Sequence, residues 1–243
     1  RDLVRSRGLG DVYKRQGNAR NFNREQLLEA VKYCHARNVA VHLACNTLIH
    51  DDEMESALNL IKYACEIGID AIIIQDIGLV SLIRKAAPKM TLHASTQMSV
   101  HTAEAAKMLY DMGFERVVLA RELSLEEIAE IRAKTPADLE IEAFVHGAMC
   151  ISYSGRCLLS NYMVGRDANQ GACTHPCRWK YSIVEETRPG EYYPVYENER
   201  GTYIFNSKDL CMIEHIPDLA ESGIDSLKVE GRMKTCLLYT SDA

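Results

Sequence analysis

The sequence predicts an α/β fold built on parallel strands, and two patterns support this prediction. Short apolar segments of strand length alternate with segments whose apolar residues recur at three- and four-residue steps, as on one face of a helix. The strand segments, such as residues 71–75, are continuously apolar, which is typical of strands covered on both faces. A β/α barrel and a doubly wound open sheet both fit this alternation.

The ends of the predicted helices are marked by capping residues. Asn23 with Gln26 and Ser124 with Glu127 are spaced as capping boxes, and Thr102 is a further N-cap candidate. A glycine or a proline follows each of several helices and ends it. The predicted parallel strands are residues 39–44, 71–75, 90–94, 116–120, 139–145, 202–205 and 226–230.

The region after residue 181 has a less regular pattern. Residues 181–186 and 191–197 flank a Pro-Gly turn and are predicted to form a β-hairpin. Ser207 is predicted to cap a helix that contains Leu210, Cys211, Ile213 and Ile216.

The composition is that of an ordinary globular protein of one α/β domain, with 243 residues, 47% hydrophobic residues and a formal net charge of −6. The sequence has no long apolar run and no signal-peptide pattern, so we expect a cytoplasmic protein with no membrane partner. The acidic charge is unlike that of a generic nucleic-acid binder. Residues 1–16 and 236–243 lack the apolar period and resemble translated sequencing-adapter read-through, so we expect residues 17–235 to form the domain.

Five of the nine cysteines lie in or just beyond a segment of small, polar and basic residues, the cysteine segment (residues 147–181). In a reducing compartment, clustered thiols more often bind metal or perform redox chemistry than form disulfides. Cys34 and Cys65 instead fall on the apolar stripes of predicted helices, so we expect them to pack in the core. The clustered cysteines are Cys150, Cys157, Cys173, Cys177 and Cys211.

Polar side chains gather where the predicted strands end, which is where a β/α barrel places its active site. Asp76, Ser95 and Ser207 have a simpler explanation, because each can cap the following helix. His93 and Arg121 are basic, and a buried cation needs a counter-charge, so they favour an anionic ligand. The other polar residues at these ends include Asn46, Gln75, Gln97, His146, Lys228 and Glu230.

Several motifs together resemble the signature of peptidase family U32, over about residues 17–235. The resemblance implies an incomplete (β/α)8 TIM-like barrel whose first strand precedes residue 17, with a Cys-rich insertion and a β-hairpin after the sixth strand. The motifs are H-A-S-T-Q-M at 93–98, L-A-R-E at 119–122, H-G-A-M-C at 146–150, Y-S-G-R-C at 153–157, C-R-W-K-Y at 177–181, N-S-K-D-L at 206–210 and L-K-V-E-G-R-M-K at 227–234.

The resemblance also implies a cofactor. Four thiolates can hold zinc or an iron–sulfur cluster, and the wide spacing from Cys150 to Cys157 is unlike a zinc knuckle. Several family members carry a four-cysteine cluster. By this resemblance, the expected ligands of a [4Fe–4S] cluster are Cys150, Cys157, Cys173 and Cys211. Cys177 competes for one of these places.

The implied activity is the oxygen-independent hydroxylation of an RNA base. The chain looks most similar to the branch that makes 5-hydroxyuridine in tRNA, with prephenate, a small dicarboxylate, as the hydroxyl donor. The expected catalytic residues are His93, Arg121, His146, Lys228 and Glu230. The expected RNA-binding residues are Arg156, Arg166, Arg178, Trp179 and Lys180, although such residues also occur as plain surface and packing residues.

Two alternatives stay open. The family name suggests a peptidase in which His146 activates Cys150 or Ser154, but the sequence contains neither H-E-x-x-H nor G-x-S-x-G. The chain could also be a non-catalytic iron–sulfur subunit that works with a protein partner in a hydroxylase complex.

Overall fold

The computed structural model describes residues 22–150, 152–153, 156–168, 172–179, 181–184, 186–194 and 209–230. The helices of these ranges are α1 Arg24–His35, α2 Met54–Glu66, α3 Ile77–Ala86, α4 Ala103–Asp111, α5 Leu125–Lys134, α6 Leu159–Val164 and α7 Ile216–Glu221. The strands are β1 His42–Cys45, β2 Ala71–Ile74, β3 Leu92–Ala94, β4 Arg116–Val118, β5 Glu140–Ala148, β6 Ser182–Ile183, β7 Tyr193–Pro194, β8 Asp209–Cys211 and β9 Ser226–Val229.

The main sheet has the strand order of an incomplete β/α barrel. β1 to β5 lie side by side in chain order, β9 follows on β5, and every one of these pairs is parallel. A doubly wound sheet would reverse its strand order at a switch point, and the described strands do not. The predicted TIM-like arrangement is therefore confirmed over these six strands.

The predicted caps explain where the helices begin. Asn23 accepts a hydrogen bond from the Gln26 backbone at 2.8 Å and donates its own N–H to the Gln26 side chain at 3.0 Å. Ser124 and Glu127 form the second capping box. Asp76 caps α3, so this helix begins earlier than the sequence pattern suggested.

The apolar core lies between the strands and the surrounding helices. Alternate strand residues face it, among them Leu43, Ile72, Leu92, Val117 and Ile141. The intervening residues face the interior of the barrel, and many of them are polar: His42, His93, Arg116, Glu142 and Ser226 are all buried. The strands are thus covered on both faces as predicted, but the interior face is not purely apolar.

A repeated motif braces the amino-terminal end of two strands. Glu-x-Gly-Ile-Asp occurs at residues 66–70 and 221–225. Asp70 accepts a hydrogen bond from the Val41 N–H at 2.6 Å, and Asp225 accepts one from the Ile141 N–H at 2.8 Å. Each aspartate therefore ties its own strand to the start of a neighbouring strand.

The region around Cys211 differs from the sequence expectation. Leu210 and Cys211 lie in β8, which pairs antiparallel with β5, and not in the helix predicted to start at Ser207. The backbone pairing with β5 overrides the helical spacing of these apolar residues. A short 3₁₀ turn and α7 then follow β8, so helical structure begins only after Cys211.

The other expectations for this region have mixed outcomes. The β-hairpin is confirmed where Ser182–Ile183 pairs with Tyr193–Pro194. The predicted strand 202–205, Ser207 and both chain ends lie outside the described residues. Among the described residues, no helix has the length and apolar character needed to cross a membrane.

Candidate active site at the carboxyl ends of the strands

A network of ion pairs fills the interior of the barrel below its mouth. Arg116 donates to Glu140 at 2.6 Å and to Glu142 at 3.0 Å. Glu142 also accepts hydrogen bonds from Ser226, at 3.1 Å, and from Lys228. β4, β5 and β9 each contribute a charged side chain, so the network holds three adjacent strands together.

The charges of this interior network balance each other. Burial alone would raise the pKa of Glu142, but Lys228 and Arg116 outweigh burial and lower this pKa to about 2. Burial likewise disfavours the charged form of Arg116, yet hydrogen bonds to Glu140 and Glu142 leave its pKa raised. Glu142 is therefore a carboxylate at neutral pH, and it holds the Lys228 ammonium in place.

His93 lies inside the barrel and not at its mouth. It is part of β3, and its ring meets the His42 ring edge-on, with 4.7 Å between the ring centroids. Burial, Arg116 and His42 lower the pKa of His93 to about 3. Since His93 is neutral near pH 7, its charge does not attract an anion, contrary to the argument from sequence.

The rim of the mouth carries two cations around one aromatic ring. The Arg121 guanidinium lies 3.8 Å from the centroid of the Phe144 ring, and the Lys228 ammonium lies 5.6 Å from the same centroid. Arg121 also forms an ion pair with Glu230. The Arg121 side chain is only 9% exposed, whereas the Glu230 side chain is 45% exposed.

A backbone irregularity positions Glu230. The pairing of β5 with β9 shifts register between Phe144 and His146, and Gly147 follows with φ +132°. A Cβ at Gly147 would lie 2.6 Å from the Glu230 carbonyl oxygen, so only glycine permits this approach. The Glu230 N–H donates to the His146 carbonyl at 2.8 Å.

Uncharged polar groups from β1 to β3 complete the mouth. The Asn46 side chain donates to the Ser95 hydroxyl at 3.1 Å, and the Gln75 side chain donates to the Asn46 carbonyl at 2.7 Å. Ser95 also caps the 3₁₀ turn after β3, as the sequence suggested. These groups tie the carboxyl ends of three neighbouring strands together.

The cysteine segment lies against this mouth. Arg156 approaches the Gln97 carbonyl at 3.5 Å, and the Tyr153 ring packs edge-on against His101 with 5.2 Å between the centroids. Burial raises the pKa of the Cys150 thiol, and the positive charge of Arg121 opposes this shift. The cysteine segment and the mouth therefore belong to one site.

Three clustered thiols have a common environment. Burial raises the pKa of the Cys150 thiol, and the nearby Cys157 and Cys173 raise it further. Cys157 Sγ accepts from the Leu159 N–H at 3.4 Å, and Cys173 Sγ accepts from the His175 N–H at 3.3 Å. The Ser152 backbone N–H bonds to Cys150 in the same way. Each of these three sulfurs therefore accepts a hydrogen bond from the backbone N–H two residues later in the chain.

This donor set fits an iron–sulfur cluster in its chemistry, because such clusters are held by thiolates whose sulfurs accept hydrogen bonds. No three His, Cys, Asp or Glu side chains within the described ranges are arranged as a coordination shell. Cys211 is exposed on β8, opposite His146, and Cys177 is buried. Ligation would therefore need the sulfurs to draw together.

The predicted RNA-binding residues are only partly described. Trp179 is exposed next to the cysteines, Arg156 is exposed, and Arg166 is half-buried. The Arg178 side chain and Lys180 lie outside the described residues. Tyr162, which the sequence did not single out, is 89% exposed on α6.

Sequence reasoning also missed Arg116, Glu142 and Phe144. A usable signal was present, because the segment E-I-E-A-F alternates polar and apolar residues at 140–144 with a period of two.

Comparison with known sequences identifies related proteins. A model of peptidase family U32 matches residues 8–240. An uncharacterized protease of Methanocaldococcus jannaschii is 43% identical over an alignment of 230 positions, which covers 93% of this chain and 54% of that protein. The tRNA hydroxylation protein P of Escherichia coli is 40% identical over an alignment of 253 positions, which covers 88% of this chain and 56% of that protein.

Two further relatives extend the comparison. The 23S rRNA 5-hydroxycytidine C2501 synthase of Escherichia coli is 37% identical over 225 residues, covering 93% of this chain and 32% of that protein. A solved U32 peptidase structure superposes with a TM-score of 0.56 at 14% identity, covering 95% of this chain and 85% of that one, which supports the fold alone. The chain spans about half the length of the first curated relatives it matches.

Proposed function

Because this chain belongs to peptidase family U32, we propose that it provides the barrel and the cysteine site of an RNA hydroxylase that acts on tRNA uridine. Relatives with 34 to 40% identity are named as tRNA hydroxylation proteins, and another is named as an rRNA hydroxycytidine synthase. These names concern those proteins, and the activity of this chain is inferred from them together with its site.

One observation carries the proposal, namely that the thiols and the barrel mouth meet. Arg156 approaches the Gln97 carbonyl at 3.5 Å, Tyr153 packs on His101, and Cys211 pairs with His146 on β5. Arg121, Phe144 and Lys228 form the rim of the same mouth. A redox group held by the cysteines would therefore adjoin a cationic mouth. That combination suits a reaction between a small anionic donor and a base presented from outside.

The cysteines are proposed to hold a [4Fe–4S] cluster, with Cys150, Cys157, Cys173 and Cys211 as ligands. Such a cluster supplies one-electron redox chemistry at a potential set by its surroundings. The N–H groups that reach Cys157 and Cys173 would stabilise the thiolate forms of these ligands. Cys177 is the alternative to Cys211.

The proposed hydroxyl donor is a small dicarboxylate such as prephenate. Arg121 and Lys228 are the described cations at the mouth, and both lie within 5.6 Å of the Phe144 ring centroid. One small ligand can therefore reach both of them, with the ring as an apolar wall. Arginine binds carboxylates with two parallel hydrogen bonds, which orients the ligand.

The RNA is proposed to approach over the cysteine segment. Exposed Trp179 and Tyr162 can stack on unpaired bases, and Arg156 and Arg166 can contact phosphates. Arg178 and Lys180 extend the basic character of this region in sequence. Since the whole chain is acidic, this local patch must provide the attraction for RNA.

Peptidase activity has less physical support. A nucleophilic cysteine needs a lowered pKa, and burial raises the pKa of Cys150. The other alternative is that the chain is a non-catalytic subunit of a hydroxylase complex. In that case the purified protein would not hydroxylate RNA without its protein partner.

The test uses a strain that lacks tRNA hydroxylation and receives the full-length gene containing this chain. We expect mass spectrometry of its tRNA nucleosides to detect restored hydroxyuridine. The peptidase hypothesis would replace this proposal if the tRNA nucleosides are unaltered and the purified protein cleaves gelatin, with the cleavage lost in Cys150→Ala.

A further inference from the structure

The ion pair between Arg121 and Glu230 joins two side chains of very different accessibility. The Arg121 side chain is 9% exposed and stacks on Phe144, so its position is fixed from several sides. The Glu230 side chain is 45% exposed and reaches the pair from the carboxyl end of β9. Glu230 can therefore leave Arg121 by rotating into water.

The second cation of the rim behaves differently. Lys228 is paired with Glu142, whose side chain is 4% exposed and which also binds Arg116 and Ser226. Glu142 is held by three partners inside the barrel and cannot move into water without depriving Lys228 and buried Arg116 of their shared carboxylate. Of the two carboxylates on the rim cations, only that of Glu230 is exchangeable.

We infer that Arg121 and Phe144 form a carboxylate-binding subsite, and that Glu230 occupies this subsite until the carboxylate of a small ligand displaces it. The inference deepens the proposed function, since it rests on the proposed small dicarboxylate co-substrate. It assigns Glu230 the part of an internal competitor and not of a proton-transfer group.

The exchange follows from elementary electrostatics. A ligand carboxylate that replaces Glu230 restores the same charge-assisted hydrogen bonds to Arg121, while Glu230 regains full hydration. The apparent affinity of the ligand is the intrinsic affinity reduced by the fraction of time that Arg121 is available. Removal of the Glu230 charge should therefore strengthen binding, although the substituted residue itself lies in the site.

The experiment titrates succinate, as a plain dicarboxylate, into the purified chain by isothermal calorimetry. We expect Glu230→Gln to bind succinate about tenfold more tightly than the unaltered chain, or better. Glu122→Gln is the matched control, because it removes one negative charge from the exposed residue next to Arg121 and should change the affinity far less. Adding Arg121→Gln to Glu230→Gln should abolish the gain.

A second measurement needs no substitution. In carbon-13 spectra of the unaltered chain, succinate should shift the Glu230 carboxyl signal and leave that of buried Glu142 in place. Equal or weaker succinate binding in Glu230→Gln, or an unmoved Glu230 signal at saturation, would overturn the inference. Both readouts are independent of tRNA, so a chain that binds succinate as described but leaves tRNA unaltered would contradict only the proposed function.

Discussion

The Arg116 guanidinium donates a hydrogen bond to the Glu142 carboxylate at 3.0 Å, across the pairing of β4 with β5 and inside the barrel. Both side chains are almost fully buried, and Lys228 binds the other carboxylate oxygen of Glu142. The interior of this barrel is therefore cross-linked by charge at the level just below the proposed active site.

Replacing Glu142 by Gln should destabilise the fold strongly. The change leaves Arg116 and Lys228 without their shared counter-charge, and breaking a buried ion pair from one side costs about 3–5 kcal/mol. Urea denaturation measures this loss. Glu140→Gln is the matched control, because Glu140 binds Arg116 but is 48% exposed, so we expect about 1 kcal/mol or less. Equal losses in the two variants would contradict the account.

His93 should make the fold sensitive to mild acid. Its pKa is about 3 in the folded chain against 6.5 ordinarily, so between these values the unfolded chain binds a proton that the folded chain does not. The contribution of the neutral His93 ring to the free energy of unfolding is fully present above pH 6.5. It falls by about 1.4 kcal/mol per pH unit as the pH decreases towards about 3.

The comparison of His93→Gln with the unaltered chain isolates this effect. Urea denaturation at about pH 7 and about pH 5 should show a smaller acid loss in His93→Gln. Exposed His50 supplies the control, and His50→Gln should keep the acid sensitivity of the unaltered chain. Glu142 does not affect this comparison, because the stability that its carboxylate contributes is lost only as the pH falls from 4.5 towards about 2.

Gly147→Ala should disturb both the fold and the rim. A methyl group there would lie 2.6 Å from the Glu230 carbonyl oxygen, at a φ of +132° that other residues avoid. We expect the free energy of unfolding to fall by about 3 kcal/mol in Gly147→Ala, as measured by urea denaturation. Gly165 also has a positive φ, of +67°, but nothing lies within 4 Å of a Cβ there, so Gly165→Ala should cost about 1 kcal/mol. A smaller loss at Gly147 than at Gly165 would argue against this packing.

The local elements of the fold could be predicted because their causes are local. Capping boxes such as that of Asn23 and Gln26 depend on residues three apart, and they mark helix starts reliably. The repeated aspartates Asp70 and Asp225 were also visible in sequence, but their partners Val41 and Ile141 lie on other strands. Their bracing role therefore needed the structure.

The errors arose where long-range pairing decides the outcome. The spacing of apolar residues after 209 is helical, yet β8 forms because the end of β5 offers unpaired backbone groups. His93 was assigned to the mouth because its strand was predicted to end there. Its low pKa is caused by burial and then by neighbouring Arg116 and His42, and nothing in the sequence shows that these residues meet in the fold.

The identity of the fourth cysteine can be tested by iron content. Protein purified without oxygen should carry about four irons, and alanine at Cys150, Cys157 or Cys173 should remove them. We expect Cys211→Ala to do the same, because its side chain is exposed and its strand is bound to the end of β5. Cys177 is buried, so Cys177→Ala should keep the iron and lose some stability. If Cys177→Ala loses the iron and Cys211→Ala keeps it, Cys177 is the fourth ligand in place of Cys211. Zinc without iron would exclude the cluster.

The central claim is that the cysteine segment and the barrel mouth form one catalytic site for tRNA hydroxylation. The most direct measurement is the hydroxyuridine content of tRNA from the complemented strain, compared between Cys157→Ala, Arg121→Gln and the control Cys65→Ala, together with the iron content of each protein. We predict that hydroxyuridine is lost in the first two variants and kept in the third, while iron is lost only in Cys157→Ala. Full hydroxyuridine in Arg121→Gln, or in Cys157→Ala, would contradict the claim.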